Sequence, residues 1–271
     1  MKRIASFLLL WAVLFLTACS PTVDDASLYI DVLDVGKADC IVIRHNGEAV
    51  LIDTAEEENI PEVMAFLQKN KINTIHSLIL SHFDKDHIGG TEAILKAKTV
   101  ERVIESNFSS DRSEYYIYHS VLREQENEPL RLTEPLSFSI GECVFQIIPP
   151  MESAYDRKED NNASLIVTLT YRGKHFAFFG DAMEERIYEF ISLNDQKFDF
   201  AKLPYHGNRL KNYSELIQNI GTPKSVITCS KKNPASEDTL SLLEENHISY
   251  YLTENGTVSV VCDGNEIRIT Q

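Results

Sequence analysis

Apolar residues along the chain fall into short runs whose spacing alternates between two and three-to-four, the periods of strands and of helices. Leu28–Leu33, Cys40–Arg44 and Ala49–Ile52 read as strands, and Asn46-Gly47 between the last two is a hairpin turn. Ile60–Leu67 has helical spacing with Pro61 near its start, and Ser77–Leu80 is a short apolar strand. Gly89-Gly90 and Thr91 introduce a helix over Glu92–Ala97, followed by a strand over Val100–Ile104. Ser110 to Pro135 is polar and weakly patterned, and is expected to hold a helix with loops near a site mouth. Beyond it come strands at Cys143–Ile148, Leu165–Leu169 and His175–Phe179, a helix over Met183–Ile191 and a strand over Phe198–Leu203. A strand–helix–strand unit (Ser225–Cys229, Ser236–Glu245, Ser249–Leu252) and a hairpin around Asp263-Gly264 complete the chain. With no internal repeat and no Pro/Gly/Ser linker, the pattern predicts a single α+β or α/β domain. Two mixed sheets with helices on their outer faces would absorb it.

The start of the chain is of another kind. Lys2 and Arg3 precede an apolar stretch from Ile4 to Leu16, which is short of the roughly 20 residues a membrane span needs. Leu16-Thr17-Ala18-Cys19 then resembles a bacterial lipobox. The expectation is a lipoprotein signal peptide over 1–18, a lipidated Cys19 with a polar tether over 19–26, and a folded domain over 27–271. The protein would be an extracytoplasmic, membrane-anchored bacterial lipoprotein.

Composition narrows the partners. The 26 Lys and Arg face 41 Asp and Glu, a formal charge of −15. Removing Lys2 and Arg3 with the signal leaves 24 bases against 41 acids, a formal −17. So acidic a surface repels bulk polyanions and excludes a dedicated duplex nucleic-acid binder. An anionic substrate would have to be held by local positive features, bound metal ions above all. Four cysteines remain beside Cys19: Cys40, Cys143, Cys229 and Cys262. Each lies in or beside an apolar run, which favours buried thiols over disulfides. No CxxC pair points to a structural zinc site.

The densest chemical signal is Ser81-His82-Phe83-Asp84-Lys85-Asp86-His87-Ile88-Gly89-Gly90. Four potential metal ligands lie within six residues, past a strand and before a helix, where open sites form. Such a loop can turn His82 and Asp84 one way and Asp86 and His87 the other, serving two cations about 3.5–4 Å apart. Asp181 follows the apolar Phe178-Phe179-Gly180, and His206 follows Lys202-Leu203-Pro204-Tyr205. Each of these alone reads as a cap or an ordinary loop residue. Together they supply what a site assembled from several strand ends requires.

These segments resemble the metallo-β-lactamase superfamily, and within it the ComEC-like extracytoplasmic hydrolase domain of competence DNA channels. Leu33-Asp34-Val35-Gly36-Lys37-Ala38-Asp39-Cys40 is similar to that branch's L-D-V-G-Q-G-D-A, and Leu51-Ile52-Asp53-Thr54-Ala55 to its L-I-D-T-G. Ser81 to Gly90 is similar to S-H-x-D-x-D-H-x-G-G. Asn161 to Leu165, Phe179 to Asp181 and Lys202 to Gly207 are similar to N-x-x-S-L, T-G-D and L-K-x-x-H-H-G-S. The resemblance spans roughly residues 28 to 270 and implies a four-layer αββα sandwich with metals in a cleft between two sheets. It implies that His82 and Asp84 bind one metal, that Asp86, His87 and His206 bind the other, and that Asp181 bridges them. Asp53 and Asp39 would brace the ligands from behind. Several positions depart from the pattern. Asp84 stands where most of the superfamily has His, and Asn161 or Asn162 stands near the place of the missing third His. Tyr205 and Asn208 replace the first His and the Ser of H-H-G-S, so either Tyr205 or His206 could fill the last ligand position.

An Asp-rich site suits Mn²⁺, while its imidazoles keep Zn²⁺ and Fe²⁺ in play. The implied chemistry is metal-assisted phosphodiester hydrolysis, in single-stranded DNA or another nucleotide, with Asp84, Asp86 and Asp181 as proton acceptors. Asn161, Lys202 and Tyr205 are weaker candidates for substrate contact. The alternatives are another metallo-hydrolase, acting on a lactone, a cell-wall phosphoester or a β-lactam, and a metal-binding surface lipoprotein without catalysis. The Tyr115-Tyr116-Ile117-Tyr118 run could stack bases, but more simply reads as a half-buried helix or strand face.

Overall fold

The computed structural model describes residues 26–155 and 160–271; the expected signal peptide, Cys19 and residues 20–25 of the tether lie outside the described residues. The first half runs β1 (Leu28–Val32), β2 (Ile41–His45), β3 (Glu48–Ile52), α1 (Ile60–Lys69), β4 (Thr74–Ile75), β5 (Ser77–Leu80), α2 (Lys85–Ile88), α3 (Thr91–Ala97), β6 (Thr99–Val100), β7 (Val103–Ser106), α4 (Ser113–Glu124) and β8 (Leu130–Leu132). The second half runs β9 (Leu136–Ile140), β10 (Cys143–Ile148), β11 (Ile166–Tyr171), β12 (Lys174–Phe178), α5 (Glu184–Leu193), β13 (Phe200–Lys202), α6 (Tyr213–Ile220), β14 (Lys224–Ile227), α7 (Glu237–Glu245), β15 (Ser249–Leu252), β16 (Val258–Cys262) and β17 (Ile267–Thr270).

Period-two alternation sorts these strands into layers. In β3, Val50 and Ile52 face one core while Ala49 and Leu51 face another; Ile43 and Val42 of β2 divide the same way. The inner core lies between an eight-stranded sheet, β17-β16-β1-β2-β3-β5-β7-β8, and a seven-stranded one, β15-β14-β13-β12-β11-β10-β9. Phe145, Leu169, Phe176, Phe178 and Phe200 of the second sheet meet Leu28, Ile30, Ile41, Ile43 and Ile79 of the first there. Each such burial contributes roughly 1.5–3 kcal/mol. Outside the first sheet, Val63 and Leu67 of α1, Ile94 of α3 and Tyr118 and Leu122 of α4 seal a second core. Outside the other sheet, Ile187 and Phe190 of α5, Leu216 and Ile217 of α6 and Leu243 of α7 seal a third. The result is the expected αββα sandwich.

The chain departs from the sequence expectation between 99 and 140 and again at α6, a helix which that expectation does not contain. The expected strand Val100–Ile104 is two strands: β6 pairs in parallel with β4, and β7 joins the main sheet beside β5. The weakly patterned stretch holds α4 and β8, and β9 follows it at the sheet edge. Tyr115 and Tyr118 are buried in α4 while Tyr116 and Ile117 between them are exposed, so two of the three tyrosines serve packing rather than a stacking platform.

One topological feature prepares the site. β3 and β5 run parallel, as do β12, β13 and β14. Their carboxyl ends therefore gather at one edge of the sandwich, and the loops leaving them carry Asp53, His82, Asp181, His206 and Thr228. Among the described residues, no helix is long and apolar enough to cross a membrane.

Candidate metal centre

Asp53, the first residue past β3, is buried and holds the site's most connected carboxylate. Its Oδ1 accepts the Ser81 backbone N–H at 2.7 Å and its Oδ2 accepts the Ser81 hydroxyl at 2.7 Å. Oδ2 also lies 2.8 Å from His87 Nδ1. A carboxylate can only accept, so His87 carries its proton on Nδ1 and presents the lone pair of Nε2. The Thr54 N–H and hydroxyl both donate to the His87 carbonyl, at 2.7 and 3.0 Å, fixing the turn that aims the ring. Gly89 and Gly90 permit this turn by their size. A Cβ on Gly90 would lie 2.3 Å from the Thr54 carbonyl oxygen, and one on Gly89 would lie 2.7 Å from the Glu57 nitrogen.

His206 is delivered from the other sheet. Tyr205 and His206 both adopt left-handed backbone (φ 53° and 52°), as does Asp53 at 59°. This strain, held by the surrounding packing, is typical of functional positions. His206 Nδ1 lies 3.1 Å from the Thr228 hydroxyl, which donates to Asp39 Oδ1 at 2.6 Å, and 3.2 Å from the Thr228 carbonyl. The carbonyl can only accept, so Nε2 is again the free atom. It lies 3.0 Å from Asp181 Oδ2 and 3.5 Å from Asp86 Oδ2. His206, not Tyr205, thus reaches the ligand position. Tyr205 is half-buried against the helices of the second sheet, and its N–H donates to the Gly180 carbonyl.

Asp181 sits between the two imidazoles, with Oδ1 3.4 Å from His87 Nε2. Gly180 brings it there at φ 52°, where a Cβ would meet the Ser81 Cβ at 2.9 Å. His82 completes the group: its ring lies against that of His87 (centroids 4.1 Å) with Nδ1 3.1 Å from the Ser81 hydroxyl. His82 Nε2, His87 Nε2, His206 Nε2 and Asp181 Oδ1 are all buried and all without a hydrogen-bond partner. Leaving one such atom unpaired costs about 1–3 kcal/mol. Four converging orphans, three of them imidazole lone pairs held outward by acceptors behind them, form a candidate donor set for a divalent metal. His82, His87 and Asp181 can offer their ligand atoms within 4.8 Å of one another. Asp39 can group with His87 and His206, but it reaches both rings on their Nδ1 sides, at 3.9 and 3.7 Å.

The electrostatics follow from this crowding. Burial alone would lower the pKa values of His87 and His206, but the carboxylates around them, Asp181 foremost, outweigh it and hold both above the ordinary imidazole range. Reciprocally, His206 and His87 overcome burial and hold Asp181 well below the ordinary carboxylate range. His82, farther from the acids, is pushed down by burial and by His87.

The structure places four of the expected site residues away from the central cluster. Lys202, expected to touch substrate, is fully buried, with its ammonium on Asp39 and, at 2.9 Å, on the Gly180 carbonyl. It braces the site from behind. The Asn161 carbonyl accepts from Ser164, while its neighbour Asn162 uses Oδ1 to cap α5 through the Met183 and Arg186 N–H groups, at 3.1 and 3.2 Å. Asp84 stands outside the four-atom cluster, with Oδ1 2.6 Å from Arg112 Nη2. Asp86 lies at the rim, 3.6 Å from Lys37 Nζ. Arg112, Lys37 and Thr228 were not among the sequence candidates. Thr228 is foreshadowed only as the end of an apolar strand, and Arg112 lies in the stretch without a pattern.

Beside His82 and Asp84 opens a cavity of about 210 Å³, walled by Asn107, Phe108, Ser109, Ser110 and Tyr155. The Phe108 and Tyr155 rings stack at 5.6 Å with their planes 14° apart.

Comparison with known proteins agrees with this geometry. The profile of the Metallo-beta-lactamase superfamily matches residues 33–230. ComE operon protein 3 of Bacillus subtilis is 27% identical over 256 residues, 84% of this chain and 32% of that protein. Recombination protein 2 of Haemophilus influenzae is 25% identical over 235 residues, 85% of this chain and 28% of that protein. The chain therefore spans about a third of the length of these relatives. Among solved structures, the metallo-beta-lactamase fold protein YhfI of Bacillus subtilis superposes with a TM-score of 0.57 at 9% identity, covering 90% of this chain and 100% of that one. Igni18, a metallo hydrolase of Ignicoccus hospitalis, gives 0.53 at 13% identity, covering 86% of this chain and 98% of that one. The chain belongs to the metallo-β-lactamase superfamily.

Proposed function

We propose that the chain is a metal-dependent hydrolase that cleaves phosphodiesters, in single-stranded DNA or another nucleotide, outside the cytoplasmic membrane, where lipid on Cys19 anchors it. The carrying observation is the cluster of four orphaned, buried donor atoms at the carboxyl ends of parallel strands. His82 and Asp84 would hold one divalent cation and Asp86, His87 and His206 the other, with Asp181 shared; Mn²⁺ and Zn²⁺ suit the donors best and Fe²⁺ is compatible. Bound there, such cations supply charge neutralisation to a phosphoryl group and acidity to a water.

The chain's own groups set the stage for that chemistry. Asp53 and Thr228 fix which imidazole nitrogens face the pocket. His206 and His87 overcome burial to hold Asp86 ionised, which keeps its Oδ2 at the rim a donor for a cation. The cavity beside His82 and Asp84 offers an aromatic wall and serine hydroxyls to the group attached to the phosphate. Similarity to ComE operon protein 3 and to Recombination protein 2 favours a nucleic-acid substrate. The net charge favours a short or single-stranded one.

The test is incubation with end-labelled single-stranded DNA and Mn²⁺ beside Asp86→Ala. Cleavage that vanishes in the variant is expected. Bound metal without cleavage would overturn the phosphodiester reading in favour of lactones, other phosphoesters or a binding role. The anchor is tested separately by labelling the full chain in bacteria with radioactive palmitate, which Cys19→Ser should abolish.

A further inference from the structure

Two half-buried cations at the rim have no evident structural task. Of the cationic groups beside the site's acids, Lys202 is buried on Asp39, and Lys85 pairs with Glu56. Lys37 and Arg112 instead each pair with an aspartate of the His82–His87 segment. Arg112 Nη2 lies 2.6 Å from Asp84 Oδ1, and Lys37 Nζ lies 3.6 Å from Asp86 Oδ2. The second distance is an ion pair without a hydrogen bond. Lys37 comes from the loop between β1 and β2, and Arg112 is the residue just before α4, so two unrelated segments bring one cation to each acid. The side chains are 33% and 39% exposed, within reach of a substrate.

Both pairs are half-buried, and each rests on one N···O contact rather than a bidentate or networked bridge, so stability alone does not explain their placement. Their partners do. Asp84 and Asp86 are the two rim acids expected to take metal. A divalent cation on a carboxylate competes with guanidinium or ammonium for the same lone pairs and repels it by like charge. Metal loading therefore frees both arms at the mouth, on a molecule whose net charge otherwise repels anions. A free guanidinium offers paired N–H donors that match two phosphoryl oxygens, and the ammonium adds a point charge.

We propose that Lys37 and Arg112 are the substrate-binding arms of this centre, parked on Asp86 and Asp84 until those acids take metal and then engaging the anionic oxygens of a phosphate. The substrate class rests on the phosphodiester reading; the release of the arms does not.

The experiment compares wild type, Arg112→Gln and Lys37→Gln. Calorimetry on the Mn²⁺-loaded proteins uses three probes: a slowly hydrolysed phosphorothioate dithymidine, its uncharged methylphosphonate counterpart, and inorganic phosphate. Mn²⁺ is also titrated into the chelator-stripped proteins. Wild type should prefer the anionic dinucleotide. Each variant should lose roughly tenfold in anion affinity, with binding of the neutral probe unchanged. Each variant should also bind Mn²⁺ about two- to fivefold more tightly, because a competitor for its aspartate has gone. Unchanged anion affinity in both variants would overturn the proposal, as would weakened metal binding, which would make the arms ligand braces. Failure of loaded wild type to bind any anion would overturn both proposal and phosphodiester reading. Binding of inorganic phosphate alone, through Lys37 and Arg112, would uphold the arms and remove the phosphodiester reading.

Discussion

Asp53 shows how one side chain sets the chemistry of another. Asp53→Asn keeps the volume but can present an amide donor to His87 Nδ1, favouring the tautomer whose Nε2 proton points into the pocket. Mn²⁺ affinity should fall about 10- to 100-fold in a protein that still folds, as is usual when a ligand loses the group orienting it. Unchanged affinity by calorimetry would mean that Asp53 is only structural. Protons give a second readout. In the metal-free protein the surrounding carboxylates, Asp181 foremost, raise the pKa values of His87 and His206. Their stabilising contribution is full below the unfolded imidazole pKa of about 6.5 and is lost as pH rises through the folded value. The depressed Asp181 contributes above about 3.9 and loses its share as pH falls through its folded pKa. Metal needs neutral imidazole, so loading the stripped protein at pH 7 should release protons to an indicator dye, and affinity should weaken as pH falls. Loading without proton release would contradict this arrangement.

At the scale of elements, the turn from α2 to α3 depends on contacts too close for any side chain. Gly90→Ala should lower the midpoint of denaturant unfolding by an amount worth about 1–3 kcal/mol, since the new Cβ would collide with the Thr54 carbonyl and with Ile60. A wild-type midpoint would show that the loop yields freely. Asn162→Ala should cost about 1 kcal/mol through loss of the α5 cap. The central strands were legible as short continuous apolar runs because both their faces are covered: Val50 and Ile52 enter one core, Ala49 and Leu51 another. The candidate loop stood out in the sequence because four potential donors, His82, Asp84, Asp86 and His87, fall within six residues. β9 alternates Leu136, Phe138 and Ile140 with serines, a signal obscured by the polar stretch before it. In α4 the buried stripe is Tyr115, Tyr118, Val121 and Leu122, and tyrosines read as polar unless their rings are counted as core. Lys202 misled for a physical reason: a lysine after a strand looks free, and only the fold shows Asp39 waiting for it. Arg112 was invisible because its partner lies 28 residues away across a loop of no pattern.

For the whole molecule, three cores enclose the chain's chemistry, and the four cysteines of the domain lie within them as free, buried thiols. Burial pushes the Cys143 thiol up to about 12 and raises that of Cys40 further. All four should resist an aromatic disulfide reagent until denaturant is added; prompt reaction of any one would show an opening that the packing excludes. In the function proposed above, the acidic surface and the candidate metal centre would divide the work of recognition, the first excluding bulk polyanions and the second admitting an anionic group at one edge of the sandwich. That division rests on the centre holding metal. The most direct measurement is the metal content per chain after saturation with Mn²⁺ and removal of free ion, by plasma mass spectrometry, in wild type and in Asp181→Asn. Two ions per wild-type chain, falling in the variant that loses the shared carboxylate, is the predicted result. A wild-type protein that retains none would contradict the account at its root.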